Sequence, residues 1–185
     1  MFIQTETTPN PATLKFLPGR TVLAEGTRDY RGETEAAESP LASALFAVPG
    51  VAGVFYGSDF VSVTKDDGAD WQHLKPAILG AVMEHFIAGS PLFVGEAVVA
   101  ADEEFFAASD AETVAAIKEL IETRVRPAVA NDGGDITFKG FKDGVVFLTM
   151  RGACSGCPSS TATLRHGIQN LLRHFLPEVR EVRAA

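Results

Sequence analysis

Two cysteines, Cys154 and Cys157, are the only ones in this 185-residue chain, and they stand three apart in MRGACSGCPSS, residues 150–160. Thiolates are soft ligands for zinc and iron-sulfur clusters, and they are the nucleophiles of disulfide exchange. Gly152, Ala153, Ser155 and Gly156 are small, so backbone N–H groups can approach inorganic sulfide closely. Pro158 suits the first position of a helix, where its missing N–H would have no intrahelical partner. Cys157 is then the expected N-cap, facing unpaired N–H groups and the positive end of a helix. That setting favours thiolate over thiol and would equally favour an anionic cluster. Two thiolates make only half of a four-ligand set.

Three readings compete for the pair. Buried structural cysteines are common, but glycines at a helix start, away from any apolar stripe, are an unusual place for two of them. A structural zinc site needs four ligands. The four histidines do not complete one: His166 and His174 lack finger spacing, and His73 and His85 belong to the other half of the chain, so each is expected to be a surface or packing residue. A thioredoxin-like dithiol redox protein also places C-x-x-C at a helix start. Such a fold needs a substantial parallel frame, however, whereas here a hairpin precedes the motif and 28 residues follow Cys157. The remaining solution is symmetry: a two-fold axis beside the motif would bring two copies together and supply four thiolates.

The elements that must position the motif follow from pattern. Val145 to Met150 reads as the second strand of a hairpin turning at Asp143-Gly144. Beyond the motif, Leu164, Ile168, Leu171, Leu172 and Phe175 form a helical stripe, and EVREV predicts a short last strand. Upstream, Ser109 and Glu112 have capping-box spacing, and Val114, Ile117, Ile121 and Val125 face a core until NDGGD ends the helix. Gly133 and Gly134 are explained by backbone geometry.

The first half is an α+β unit of its own. Leu14 and Phe16, then PGR, then TVL predict two strands about a Pro-Gly turn. Ser39-Pro40 opens a helix with Leu41, Ala44, Leu45 and Val48 on one face. VFYGSDFVSV predicts a hairpin at Gly57-Ser58. Asp70 caps a helix carrying Leu74, Ile78, Val82 and Phe86 as far as Gly89. The fold class is therefore α+β: two small domains, each a small sheet packed with helices, with C-x-x-C at a strand-to-helix junction of the second. The expected division is a first domain over 1–95, a linker over 96–109 and a cysteine-bearing domain over 110–185.

Hydrophobic residues at 46% and charged residues at 22% describe an ordinary globular chain. No apolar run approaches the ~18 residues of a membrane span, and no targeting signal is read at the start. The formal charge of −8 argues against nucleic acid as a partner. Residues 1–110 hold 6 basic against 16 acidic side chains, residues 111–185 hold 10 against 8, so the first half has the acidic surface. Close cysteines cannot form a disulfide framework, which favours a reducing compartment: bacterial cytoplasm, or alternatively an organellar matrix after processing. No nucleophile-base arrangement and no phosphate-binding glycine loop stands out, so the chain is not expected to be an enzyme.

With these residues in view, NDGGDI, VVFLTMRGACSGCPSSTATLRHGI and PEVREV resemble the NifU-like C-terminal domain. MFIQTETTPNPATLKFLPGR resembles the N-terminal domain of Nfu proteins, so the likeness covers nearly the whole chain. The resemblance implies an iron-sulfur cluster scaffold or carrier that binds a [4Fe-4S] cluster between two subunits and delivers it to apo-proteins, with [2Fe-2S] as the alternative cluster. It implies Cys154 and Cys157 as the metal and cluster ligands, a homodimer or higher oligomer on cluster binding, and apo iron-sulfur clients and assembly factors as partners. The cysteine-free first domain is expected to dock those partners.

Overall fold

The computed structural model describes residues 1–95, 103–155 and 158–185, with residues 158–160 described by backbone alone. The chain divides into two compact units, Met1–Val99 and Ala100–Ala185.

In the first unit, period-two alternation builds a five-stranded antiparallel sheet. Its strands are β1 (Gln4–Thr7), β2 (Thr13–Leu17), β3 (Arg28–Tyr30), β4 (Val51–Tyr56) and β5 (Val61–Lys65), in the order β1-β2-β5-β4-β3. Phe16, Val54, Tyr56, Val61 and Val63 share a core with Leu41 and Leu45 of α2 (Pro40–Phe46) and Leu74, Ile78 and Val82 of α3 (Trp71–Ala88). A single turn, α1 (Glu33–Ala36), precedes α2. The caps act as the sequence suggests: Ser39 Oγ accepts from Ala42 N–H, Asp70 from Gln72 N–H, and α3 ends on Gly89 at φ +64°.

Two expectations fail in this unit. No strand forms at Thr21–Leu23; both edges of β2 are taken by β1 and β5, and Val22 and Leu23 instead donate to Ser58 O. Sheet pairing is decided across the chain, so a nearby Pro-Gly turn did not select the partner. Ala44 is exposed, and the buried face of α2 is Leu41, Ala42, Leu45 and Phe46.

In the second unit Phe105 bridges in parallel to Gly140, and a 3-10 turn, Ala108–Asp110, then runs into α4 (Ala111–Leu120). The Ser109–Glu112 capping box does not form, because Ser109 lies inside that turn and Asp110 is the N-cap. A π-helical turn, Ile121–Val125, joins α4 to α5 (Arg126–Asn131), with Arg126 N–H donating to Ile121 O. Pro127 has no N–H to continue the ordinary ladder and its ring crowds the preceding turn, which accounts for the widening just before it. The apolar stripe survives: Val114, Ile117, Ile121, Val125 and Val129 are all buried.

Strands β6 (Gly134–Lys142) and β7 (Val145–Gly152) form the expected hairpin, with Asp143 at φ +52° and Gly144 at φ +78°. Helix α6 (Pro158–Phe175) then crosses back, and β8 (Glu181–Ala184) pairs parallel to β7, giving the order β6-β7-β8. Ile168 and Leu172 of α6 are buried, but Phe175 is 46% exposed and carries the Arg124 guanidinium over its ring.

No helix among the described residues is long and apolar enough to cross a membrane.

Candidate functional site

Strand β7 ends at Gly152, whose φ of +64° turns the chain out of the sheet. The residues that follow are fastened from three sides. Ser155 donates to Gly152 O through both its N–H (3.1 Å) and its hydroxyl (2.9 Å). Ala153 N–H donates to Gly133 O at 3.2 Å. From α6, the Thr161 hydroxyl donates to Cys154 O at 2.9 Å. Cys154 thus sits between the end of a strand and the first turn of a helix. Cys157, the second expected ligand and expected N-cap, lies outside the described residues.

The Cys154 side chain turns inward. It is 6% exposed and joins the cluster containing Ile136, Met150 and Ile168. This differs from the expectation of a motif apart from any apolar stripe. The reason lies 20 residues upstream, at the start of β6, where Gly134 pairs with Gly152. A Cβ on Gly134 would lie 2.6 Å from Cys154 Sγ, 2.7 Å from Arg151 O and 3.0 Å from Cys154 N. Sulfur therefore occupies the space a side chain would fill.

The next residue anchors that backbone. Asp135, 3% exposed, accepts a fork from Arg126 on α5, Nε to Oδ1 at 2.8 Å and Nη2 to Oδ2 at 2.9 Å. Its Oδ1 also accepts from Ile136 N–H at 2.9 Å. Glu122, one turn earlier, pairs with Arg126 from the solvent side. The pair keeps the Arg126 guanidinium protonated even more firmly than usual, chiefly through the hydrogen bonds to Asp135. Neither Arg126 nor Asp135 was singled out from sequence. The available signal was an acid directly after Gly-Gly, nine residues beyond an arginine; nothing local says that the two meet.

Burial pushes the Cys154 thiol up to about 12, and the negative charges of Asp132 and Asp135 push in the same direction. In the metal-free chain this cysteine is therefore a protonated thiol; the expected thiolate is that of Cys157, which lies outside the described residues. A protonated thiol is a poor attacking nucleophile; the parallel β7–α6–β8 crossover is a feature that dithiol oxidoreductases share.

Among the described residues, no group of three or more His, Cys, Asp or Glu side chains is placed to hold a metal ion. His73, His166 and His174 are exposed; His85 is buried in α3, where desolvation lowers its pKa. The donor chemistry of Cys154 suits a soft metal or an iron-sulfur cluster, and the described part of one chain offers no complete set.

Residues 3–89 match the family described as scaffold protein Nfu/NifU N terminal, and residues 117–183 match the NifU-like domain. The chain is 52% identical over 184 residues to NifU-like protein 5, mitochondrial, of Arabidopsis thaliana, covering 98% of this chain and 67% of that protein. It is 51% identical over 183 residues to the NFU1 iron-sulfur cluster scaffold homolog, mitochondrial, of Drosophila sechellia, covering 98% of this chain and 64% of that one. The chain thus spans about two thirds of the length of these curated relatives. A NifU-like protein from Saccharomyces cerevisiae, solved by NMR, is 28% identical with a TM-score of 0.47, covering 52% of this chain and 87% of that one. With half its residues shared with such relatives along 98% of its length, and the two family matches in order along it, the chain belongs to the Nfu family of NifU-like scaffold proteins.

Proposed function

We propose that this protein is an iron-sulfur cluster scaffold or carrier: two copies hold one [4Fe-4S] cluster through Cys154 and Cys157 of each and release it to apo-proteins. The observation that carries the reading is the 51% identity, along 98% of the chain, to a protein named an iron-sulfur cluster scaffold homolog. The chemistry supports it. Two thiols per chain require a second donor pair, and a homodimer supplies one by symmetry. The cluster is cargo, so no turnover of a small substrate is assigned.

In the metal-free chain the Cys154 thiol holds its proton firmly. Ionising Cys154 from an ordinary value of 9.0 to about 12 spans three pH units, at about 1.4 kcal/mol each. Lost burial and the negative charges of Asp132 and Asp135 thus oppose ionisation of the free thiol. When cargo leaves, the thiol regains its proton and its packing against Gly134.

The functional division is residues 1–95, a linker at 96–109 and the cluster-binding unit at 110–185, although within that linker stretch Phe105 already bridges to Gly140 of β6 and so packs with the second unit; the acidic first unit docks clients or assembly factors. The relatives' names carry a mitochondrial address, which favours the organellar alternative over bacterial cytoplasm; both compartments keep thiols reduced.

Anaerobic reconstitution with iron and sulfide, followed by metal analysis and size measurement, tests the reading. About two iron atoms per chain and a doubled mass are expected; a shared zinc would give about half an atom, a redox dithiol none. Either Cys154→Ser or Cys157→Ser is expected to abolish both iron and the added mass. A parent chain that stays colourless and single, or a serine variant that keeps its iron, refutes it.

A further inference from the structure

We propose that Arg126 and Asp135 are positioning residues for Cys154, their fork holding the Gly133–Gly134 turn as the seat on which the thiol rests; the role in cluster handling rests on the scaffold reading above. The observations form one chain of contacts. Arg126 is the first residue of α5, immediately after the π-helical turn and before Pro127, a point where the backbone geometry is set by the missing N–H. Its fork reaches Asp135, which is nearly fully buried and also bonded to the N–H of Ile136. Asp135 is covalently next to Gly134, whose bare Cα faces Cys154 Sγ. Gly133 O, one residue further, accepts from Ala153 N–H, so the same turn both faces the sulfur and holds the backbone just before it.

A planar two-bond fork resists both sliding and rotation, which a single point charge does not. Fixing Asp135 therefore fixes where the adjoining glycine backbone lies, and with it the depth of the sulfur. Glu122 pairs with the outer side of Arg126 and is itself 61% exposed, so it is dispensable for the seat.

The test separates position from charge because the two predict opposite signs. In a metal-free chain carrying Cys157→Ser, Cys154 is the sole thiol, and its rate of alkylation by iodoacetamide at pH 8 is the readout. Arg126→Gln leaves the Asp135 charge less compensated. If Asp135 acted on Cys154 by electrostatics alone, the thiol would react more slowly. Positioning predicts the reverse, at least tenfold faster alkylation, because the unlocked turn frees the sulfur. Glu122→Gln is expected to leave the rate within twofold, and Arg126→Lys to fall between parent and Arg126→Gln.

Far-ultraviolet circular dichroism and melting curves establish that each variant is folded. Should Arg126→Gln not fold, Arg126→Lys decides; unfolding of that milder variant would make the pair a general stabiliser and overturn the assignment. An unchanged or slower rate in a folded Arg126 variant also overturns it. In chains retaining Cys157, reconstituted cluster in Arg126→Gln should show an altered visible dichroism spectrum and at least threefold faster loss to a chelator. If the parent takes up no cluster, the scaffold reading fails while the alkylation rates still decide the positioning role.

Discussion

Replacing Gly134 by alanine adds one methyl group where the structure has sulfur and backbone. The new Cβ would stand 2.6 Å from Cys154 Sγ and 2.7 Å from Arg151 O. The carbonyl belongs to the paired strand β7 and cannot step aside without opening the ladder at Gly134–Gly152. The sulfur, on a single rotatable bond, is the part able to move. Overpacking of this kind costs about 1–3 kcal/mol, so the urea midpoint of the second unit should fall at unchanged slope. The displaced thiol should also lose its protection. Between a pKa of about 12 and the ordinary value of 9.0, the thiolate fraction at pH 8 rises by roughly three powers of ten. The greater nucleophilicity of the more basic thiolate offsets about one and a half of them. Alkylation of Cys154, followed by mass spectrometry in a Cys157→Ser background, should therefore accelerate roughly 30-fold. A Gly134→Ala chain that keeps both its stability and the parent's slow alkylation would show that the sulfur does not rest on this glycine.

Two further outcomes concern pH. The Cys154 thiol binds its proton more tightly folded than unfolded, so its contribution to stability is complete below the unfolded pKa and is lost as pH rises from about 9 toward 12. Urea titrations of the metal-free parent should lose up to about 1.4 kcal/mol per pH unit more in that window than those of Cys154→Ala; parallel curves would refute the buried-thiol assignment. His85 is the reverse case: burial lowers its pKa, so the folded state resists protonation and stability is lost as pH falls through the unfolded value of about 6.5. Melting of His85→Leu should be less sensitive to acid between pH 7 and 5 than melting of the parent, and equal sensitivity would show that this imidazole is not desolvated.

What could be read from residue order was local. Ser39-Pro40, Asp70 with Gly89, and Asp143-Gly144 act within a turn of themselves, so their residue types determine caps and hairpin whatever the rest of the chain does. The stripe from Val114 to Val125 likewise declares its buried face by period, and the donor chemistry of Cys154 and Cys157 is a property of sulfur. Local signals misled where a distant partner competed. The Pro-Gly turn after β2 closes no hairpin because β1 and β5 hold both its edges, and Ser109 is no cap because the chain enters α4 through a 3-10 turn. The sequence alone thus determined two α+β units, a pair of soft ligands and a half-complete site. Only the tertiary structure decided that Cys154 is an inward, protonated thiol, because its burial depends on a glycine 20 residues away and on a buried ion pair between α5 and β6. Those contacts are set by how a helix packs on a sheet, and no spacing along the chain encodes them.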